Sequence, residues 1–203
     1  MKKYAVLHEP GDIVTLAGTR FVVLDVERRG SLPDSLFLLA LEPVGTSEFG
    51  SSNNYAESDL KKAVDKWLED MDKRGLDNAK LIPREIDLTT LDGSGCYGKL
   101  SVKAAPLTLD EAREYADIIP NAERWCWLAT GWSGPSKSDG DLALYVYSNG
   151  DWDDYGCSGS YGIRPALKAP SILFEDSEAG LDLSKIPTDD LLQEIHRRLA
   201  EKA

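Results

Sequence analysis

Basic charge is what this sequence lacks most. Its 203 residues hold 23 lysines and arginines against 35 aspartates and glutamates, a formal net charge of -12. Affinity for a phosphate backbone rests mainly on Lys and Arg displacing counterions, and no basic run compensates locally. Nucleic acid is therefore not expected as a partner. Histidine is scarcer still. His8 and His196 both lie in terminal segments, so no Ser-His-Asp or Cys-His constellation presents itself. Cysteine is limited to Cys96, Cys126 and Cys157, odd in number and without CxxC or CxH spacing. Neither a zinc site nor a dithiol switch follows from such spacing, and no cofactor or metal is expected. Long apolar runs are missing as well. The run over residues 4–7 ends at His8-Glu9-Pro10, too short for the core of a signal peptide and far too short for a membrane span. The expected setting is cytoplasmic, with no membrane partner.

What is present is an ordinary globular composition, 42% hydrophobic and 29% charged, in a chain long enough to bury a real core. Residues 12–16 and 20–26 are apolar runs flanking Ala17-Gly18-Thr19 and read as a hairpin. Residues 35–41 read as a third strand, too apolar to face water on either side. A polar loop over residues 48–55 precedes a helix over about 58–74, with Ser58 as N-cap and Leu60, Val64, Trp67, Leu68 and Met71 as its apolar stripe. A second helix over 108–119 opens on a capping box, Thr108 with Glu111, and a staple of Leu107 on Ala112. The acids Asp110 and Glu111 are then first-turn helix residues rather than a catalytic pair. Further strands are expected at 125–130, 142–147, 151–155 and 162–167. Residues 175–187 form an acidic linker. Residues 188–203 form a last amphipathic helix whose Leu191, Leu192, Ile195 and Leu199 make a narrow stripe, suited to light docking or to self-association.

Residues 125–167 carry the densest signal. Asn149-Gly150 between alternating runs is a strong hairpin mark, because both residues tolerate the positive φ of a type I′ turn. A two-residue loop would set Tyr147 opposite Trp152 and Tyr145 opposite Asp154. Directly opposed side chains share a face, so these four would lie together, away from Leu142, Leu144 and Val146. Such a group forms an aromatic platform edged with acid, suited to a sugar or a peptide. The competing reading is that the aromatics pack beneath a neighbouring loop, and both stay open. Asp153 opposite Val146 fits a buried inner face poorly and points to fraying or a bulge.

Several ordered pieces resemble a known family. They are Ile86-Asp87-Leu88 with Leu91-Asp92-Gly93, Tyr97-Gly98, Leu107 to Glu111, Ile118-Ile119-Pro120, Trp125 with Trp127-Leu128-Ala129-Thr130, Tyr147 to Gly150, and Tyr161 to Leu167. With the Asn54/Ser58 region they cover roughly residues 10–175 and resemble an uncharacterised domain of gut bacterial and phage proteins. That domain is related to the C-type lectin-like fold of formylglycine-generating enzymes. The resemblance implies an α+β domain over residues 1–174, with a twisted, mainly antiparallel sheet, two flanking helices and a loop-rich C-terminal half. It implies a ligand site on the face made by the late loops and terminal hairpin, and it adds a phage particle as a second possible setting.

The catalytic residues of the enzymes do not carry over. They use two nearby cysteines, whereas Cys157 stands alone in the late region. Trp152-Asp153-Asp154 resembles the Trp-Asn-Asp motif through which C-type lectins hold calcium, and Asp151 lies beside it. Calcium needs six to eight oxygens, and three acids at a turn read first as solvated. Arg164, between Ile163 and Pro165, reads as a structural arginine buried against carboxylates of the sheet in preference to an anion contact. The function expected is thus a non-catalytic binding module for a carbohydrate or protein ligand, presenting Trp132, Tyr145, Tyr147, Trp152, Asp154, Tyr155 and Tyr161. The alternative is a structural or assembly protein acting through its C-terminal helix.

Overall fold

The computed structural model describes residues 8–30, 32–174, 187–189 and 192–193. It is a mixed α+β structure dominated by strands. The chain begins with β1 (Ile13–Leu16), β2 (Thr19–Arg29) and β3 (Leu32–Ala40), an antiparallel meander. A short β4 (Gly45–Glu48) leads to helix α1 (Asp59–Lys73), and β5 (Arg84–Asp87) and β6 (Lys99–Val102) form a two-stranded ribbon. After β7 (Ala104–Ala105) and helix α2 (Leu109–Glu114) come β8 (Cys126–Gly131), β9 (Leu142–Val146), β10 (Trp152–Gly156), β11 (Ser160–Ile163) and β12 (Ala166–Pro170). Two five-stranded sheets result, in the orders β1-β2-β3-β12-β7 and β10-β9-β8-β11-β4. Where one sheet was expected, the described residues form these two beside the β5–β6 ribbon; pairing is mainly antiparallel, with β11 parallel to β8.

The split has a local cause. Residues 162–167, expected as one strand, are broken at Arg164-Pro165, and the two halves join different sheets. Proline cannot donate to a ladder, so the strand ends there. Arg164 then ties the two sheets together. Its Nε donates to the Ala40 carbonyl at 2.8 Å, and one terminal nitrogen donates to those of Leu41 (3.1 Å) and Pro120 (3.0 Å). Its hydrogen-bond partners are main-chain oxygens and not the carboxylates expected.

Strand β2 is buried on both faces, which is why residues 20–26 carry so few polar side chains. Phe21 and Val23 pack with Leu36, Leu38, Leu167 and the α1 residues Leu60, Val64 and Met71. Val22 and Leu24 face the other way, with Leu39, Ala166, Leu107 and Leu109, onto Leu128 and Leu144 of the second sheet. The first sheet therefore sits between α1 and the second core.

Both helices start where expected. The Ser58 hydroxyl accepts from the Lys61 amide at 2.9 Å, and α1 stops at Arg74. Thr108 and Glu111 make both bonds of the capping box. Helix α2 nevertheless ends at Glu114, five residues before the expected limit. The amides of both Ile118 and Ile119 bond back to the Tyr115 carbonyl, closing turns that fold the isoleucines onto the second core. Pro120 also disfavours helical geometry at the residue before it. Of the tail, residues 188–189 and 192–193 are helical, and the Leu192 side chain is 48% exposed. Leu191, Ile195, Leu199, the acidic stretch 175–186 and the apolar run 4–7 lie outside the described residues. Among the described residues, no helix is long and apolar enough to cross a membrane.

Candidate functional site

The hairpin between β9 and β10 decides which side chains meet. The Tyr147 amide donates to the Asp151 carbonyl at 2.7 Å, and the Gly150 amide to the Tyr147 carbonyl at 3.1 Å. Gly150 has φ of +93°. This is a three-residue loop, a turn followed by a left-handed glycine bulge, and not the expected two-residue turn. The extra residue shifts the register by one. Val146 pairs with Trp152, Tyr145 with Asp153 and Leu144 with Asp154. A slip of one residue moves every side chain of a strand to the other face. The expected grouping of Tyr145, Tyr147, Trp152 and Asp154 is therefore corrected: Trp152 and Asp154 lie on one face of the sheet, and Tyr145, Tyr147 and Tyr155 on the other. Asp153, now opposite Tyr145, is clear of the inner face where it fitted poorly.

The tyrosine face is an interlocked set of rings. Tyr145 stacks on Trp125 and Tyr161 at centroid distances of 5.5 and 4.9 Å, and Tyr147 meets both Trp125 and Tyr145 edge-on at 4.9 Å. Tyr155 closes on Tyr161 at 5.6 Å. Tyr145 is buried, and that burial, with its neighbour Tyr147, pushes its phenol well above the ordinary value. The Tyr147 hydroxyl donates to the Asp153 carboxylate at 3.1 Å. Tyr155 and Trp125 keep exposed edges, while the rest of the set is occupied with itself. Trp132 lies apart, half-buried against the second core.

The opposite face is concave. A cleft of about 470 Å³ opens between α2, the segment 119–122, strands β8 and β9 and the hairpin tip. Its floor is Leu107, Leu109, Leu128 and Val146; Trp152 and Arg113 stand at its mouth, and Cys126 and Arg164 line it. Trp152 is 43% exposed. The Arg113 guanidinium lies over its ring, 5.2 Å from the centroid, a cation–π arrangement that orders both side chains. Burial pushes the Cys126 thiol up to about 11. Asp154, on the same face as Trp152, is held above the usual carboxylate range by burial and by the Asp153 charge.

The three acids of the hairpin are spread out. Asp153 and Asp154 point to opposite faces, and Asp151 accepts from Asn149 Nδ2 at 2.8 Å. Among the described residues, no three His, Cys, Asp or Glu side chains form a group that could hold a metal ion.

Sequence reasoning passed over Arg113, Leu128 and Trp125. Nothing local places Arg113 beside Trp152, 39 residues further along the chain. Trp125 did carry a signal, since it alternates with Trp127 and so had to share that residue's face. No family model, curated protein or solved structure matches the chain.

Proposed function

We propose that the chain is a non-catalytic ligand-binding module of the C-type lectin-like kind, with the cleft beneath Trp152 as its site. The observation that carries this reading is the half-exposed indole of Trp152 at the mouth of a preformed, largely apolar cleft. Exposing an indole next to a concave apolar floor costs solvation free energy that a bound ligand would recover. The α+β architecture, the two helices and the position of the cleft under the terminal hairpin support the lectin-like assignment. A cysteine nucleophile in the cleft is disfavoured by the burial that pushes the Cys126 thiol up to about 11. A module of this kind suits a bacterial cytoplasm or a phage particle, with a carbohydrate or a protein as the wider partner.

The test is a ligand screen, by glycan array, peptide array and small-fragment NMR, repeated with Trp152→Ala and Tyr155→Ala. Both residues are exposed and neither anchors the core. Binding lost with Trp152→Ala and kept with Tyr155→Ala supports the cleft. The reverse pattern, or binding indifferent to Trp152, overturns it.

A further inference from the structure

We infer that the cleft takes a carboxylate borne on a planar apolar body; this deepens the reading above and rests on it. The body follows from the floor. Leu107, Leu109, Leu128 and Val146 offer no hydrogen bonds to a hydroxyl-rich sugar, and a volume of about 470 Å³ suits a small molecule of one or two rings. Trp152 supplies a flat face against which such a ring stacks.

The carboxylate follows from the two arginines. Arg113 is exposed, and among the described residues its one carboxylate contact, Asp110 at 3.6 Å, involves a side chain that is 92% exposed. A contact so open to water is weak and is readily exchanged for a ligand anion. Arg164 is 7% exposed and lines the wall. Its hydrogen bonds go to three neutral carbonyls, and no carboxylate among the described residues lies within ion-pair distance of it. Glu42 acts on it only through its field, from beyond contact. The positive charge of this wall is therefore left without a contacting anion in a low-dielectric surrounding, where it favours a negative group. Asp151 at the rim opposes a second negative charge, so one carboxylate fits and a polyanion does not.

The probes are 2-naphthoate and its neutral isostere 2-naphthamide, titrated into the full chain while the Trp152 indole N–H resonance is followed by NMR. Naphthoate is expected to bind about tenfold more tightly, the ratio for a charge-assisted contact of about 1.4 kcal/mol. Arg113→Gln is expected to lower the ratio of the two affinities, naphthamide serving as the reference that absorbs any change in how Trp152 is ordered. Equal affinity of the two probes in the unaltered chain overturns the carboxylate inference and leaves the cleft standing; a preference that survives Arg113→Gln overturns the role given to Arg113 and leaves Arg164 as the anion contact. If neither probe nor any fragment moves the Trp152 signal, the cleft reading falls, and this inference with it.

Discussion

Tyr97 donates its hydroxyl to Oδ1 of Asn53 at 2.6 Å, across 44 residues of sequence. The same amide uses Nδ2 to donate to the carbonyls of Ser133 (2.9 Å) and Leu142 (3.0 Å). Asn53 is 1% exposed, so one side chain joins the loop before α1, the loop before β6 and both ends of the connection from β8 to β9. Asn53→Ala strands the buried Ser133 carbonyl and takes one partner each from the half-buried Tyr97 hydroxyl and from the Leu142 carbonyl, which still accepts from the Trp132 amide at 2.9 Å. The expected loss is about 2 kcal/mol, since one unsatisfied buried group costs about 1–3 kcal/mol and water can reach the other two. Chemical denaturation should show a lower midpoint with an unchanged slope. Asn53→Asp, which keeps the acceptor for Tyr97 but loses both donors, should be equally damaging.

Gly162 is required for a different reason. A Cβ there would sit 2.9 Å from both Cys126 Sγ and the Trp125 carbonyl oxygen, where β11 crosses β8. The oxygen belongs to main chain and cannot swing away. Gly162→Ala should cost about 2–3 kcal/mol through overpacking. Gly150→Ala, whose difficulty is mainly the left-handed backbone of the bulge, should cost about 1 kcal/mol. Thermal unfolding of the pair should rank them in that order, and a reversed order would mean that the parallel crossing is looser than described.

The elements that sequence made visible are those whose determinants are local. Ser58 with its apolar stripe, and Thr108 with Glu111, each decide a helix start within four residues, and both starts hold. The hairpin register was not visible for a physical reason. Asn149-Gly150 supports a two-residue turn and equally supplies the last two residues of a three-residue loop, and only the partner strand selects between them. That choice sent Trp152 to the face opposite Tyr145. Strand β4 and the break at Arg164-Pro165 were hidden for a similar reason, since residues 45–48 become a strand only because residues 160–163 lie beside them. The cleft is the extreme case. Its floor and rim come from α2, β8 and the hairpin, and no single stretch carries its pattern.

The cysteines should report burial directly. Cys96 is exposed, whereas Cys126 and Cys157 are buried, which pushes their thiols up to about 11 and about 12. Only the thiolate reacts with a disulfide reagent or an alkylating agent. In the native protein near neutral pH, one thiol per chain should react rapidly, and peptide mapping should place it at Cys96. All three should react after denaturation. Fast labelling of Cys126 in the native state would show that its wall of the cleft opens.

His8 should give stability a pH dependence near neutrality. Burial lowers its imidazole below the ordinary 6.5, outweighing Asp12, and among the described residues the buried Nε2 has no hydrogen-bond partner. A group with a depressed cationic pKa binds its proton more tightly in the unfolded chain. The unfolded state is therefore favoured as pH falls through 6.5, and stability declines from there down to the folded value. Above 6.5 this contribution is flat. His8→Phe, which keeps an aromatic edge against Phe174, should remove that part of the slope while leaving the carboxylate-driven loss at lower pH. An unchanged Tm-against-pH curve for the variant would contradict this.

The ion pair of Arg84 with Glu111 allows an asymmetric prediction. Arg84 has an 8% exposed side chain, and one terminal nitrogen also donates to the carbonyls of Ala105 (3.1 Å) and Pro106 (3.2 Å). Glu111 is 22% exposed and accepts from the Thr108 amide at 2.8 Å. The cost of breaking a buried pair lies mostly in the charge left behind. Glu111→Gln keeps the cap and the volume but strands a buried guanidinium, so it should cost about 3 kcal/mol. Arg84→Met leaves a carboxylate that still caps α2 and can draw in water, which limits its cost to about 1–2 kcal/mol despite the lost carbonyl contacts. The double variant should lie close to Arg84→Met alone, because once the guanidinium is gone the carboxylate has little left to neutralise. If Arg84→Met proves the more damaging single change, the two carbonyl bonds, and not the charge pair, hold the junction between β5 and α2.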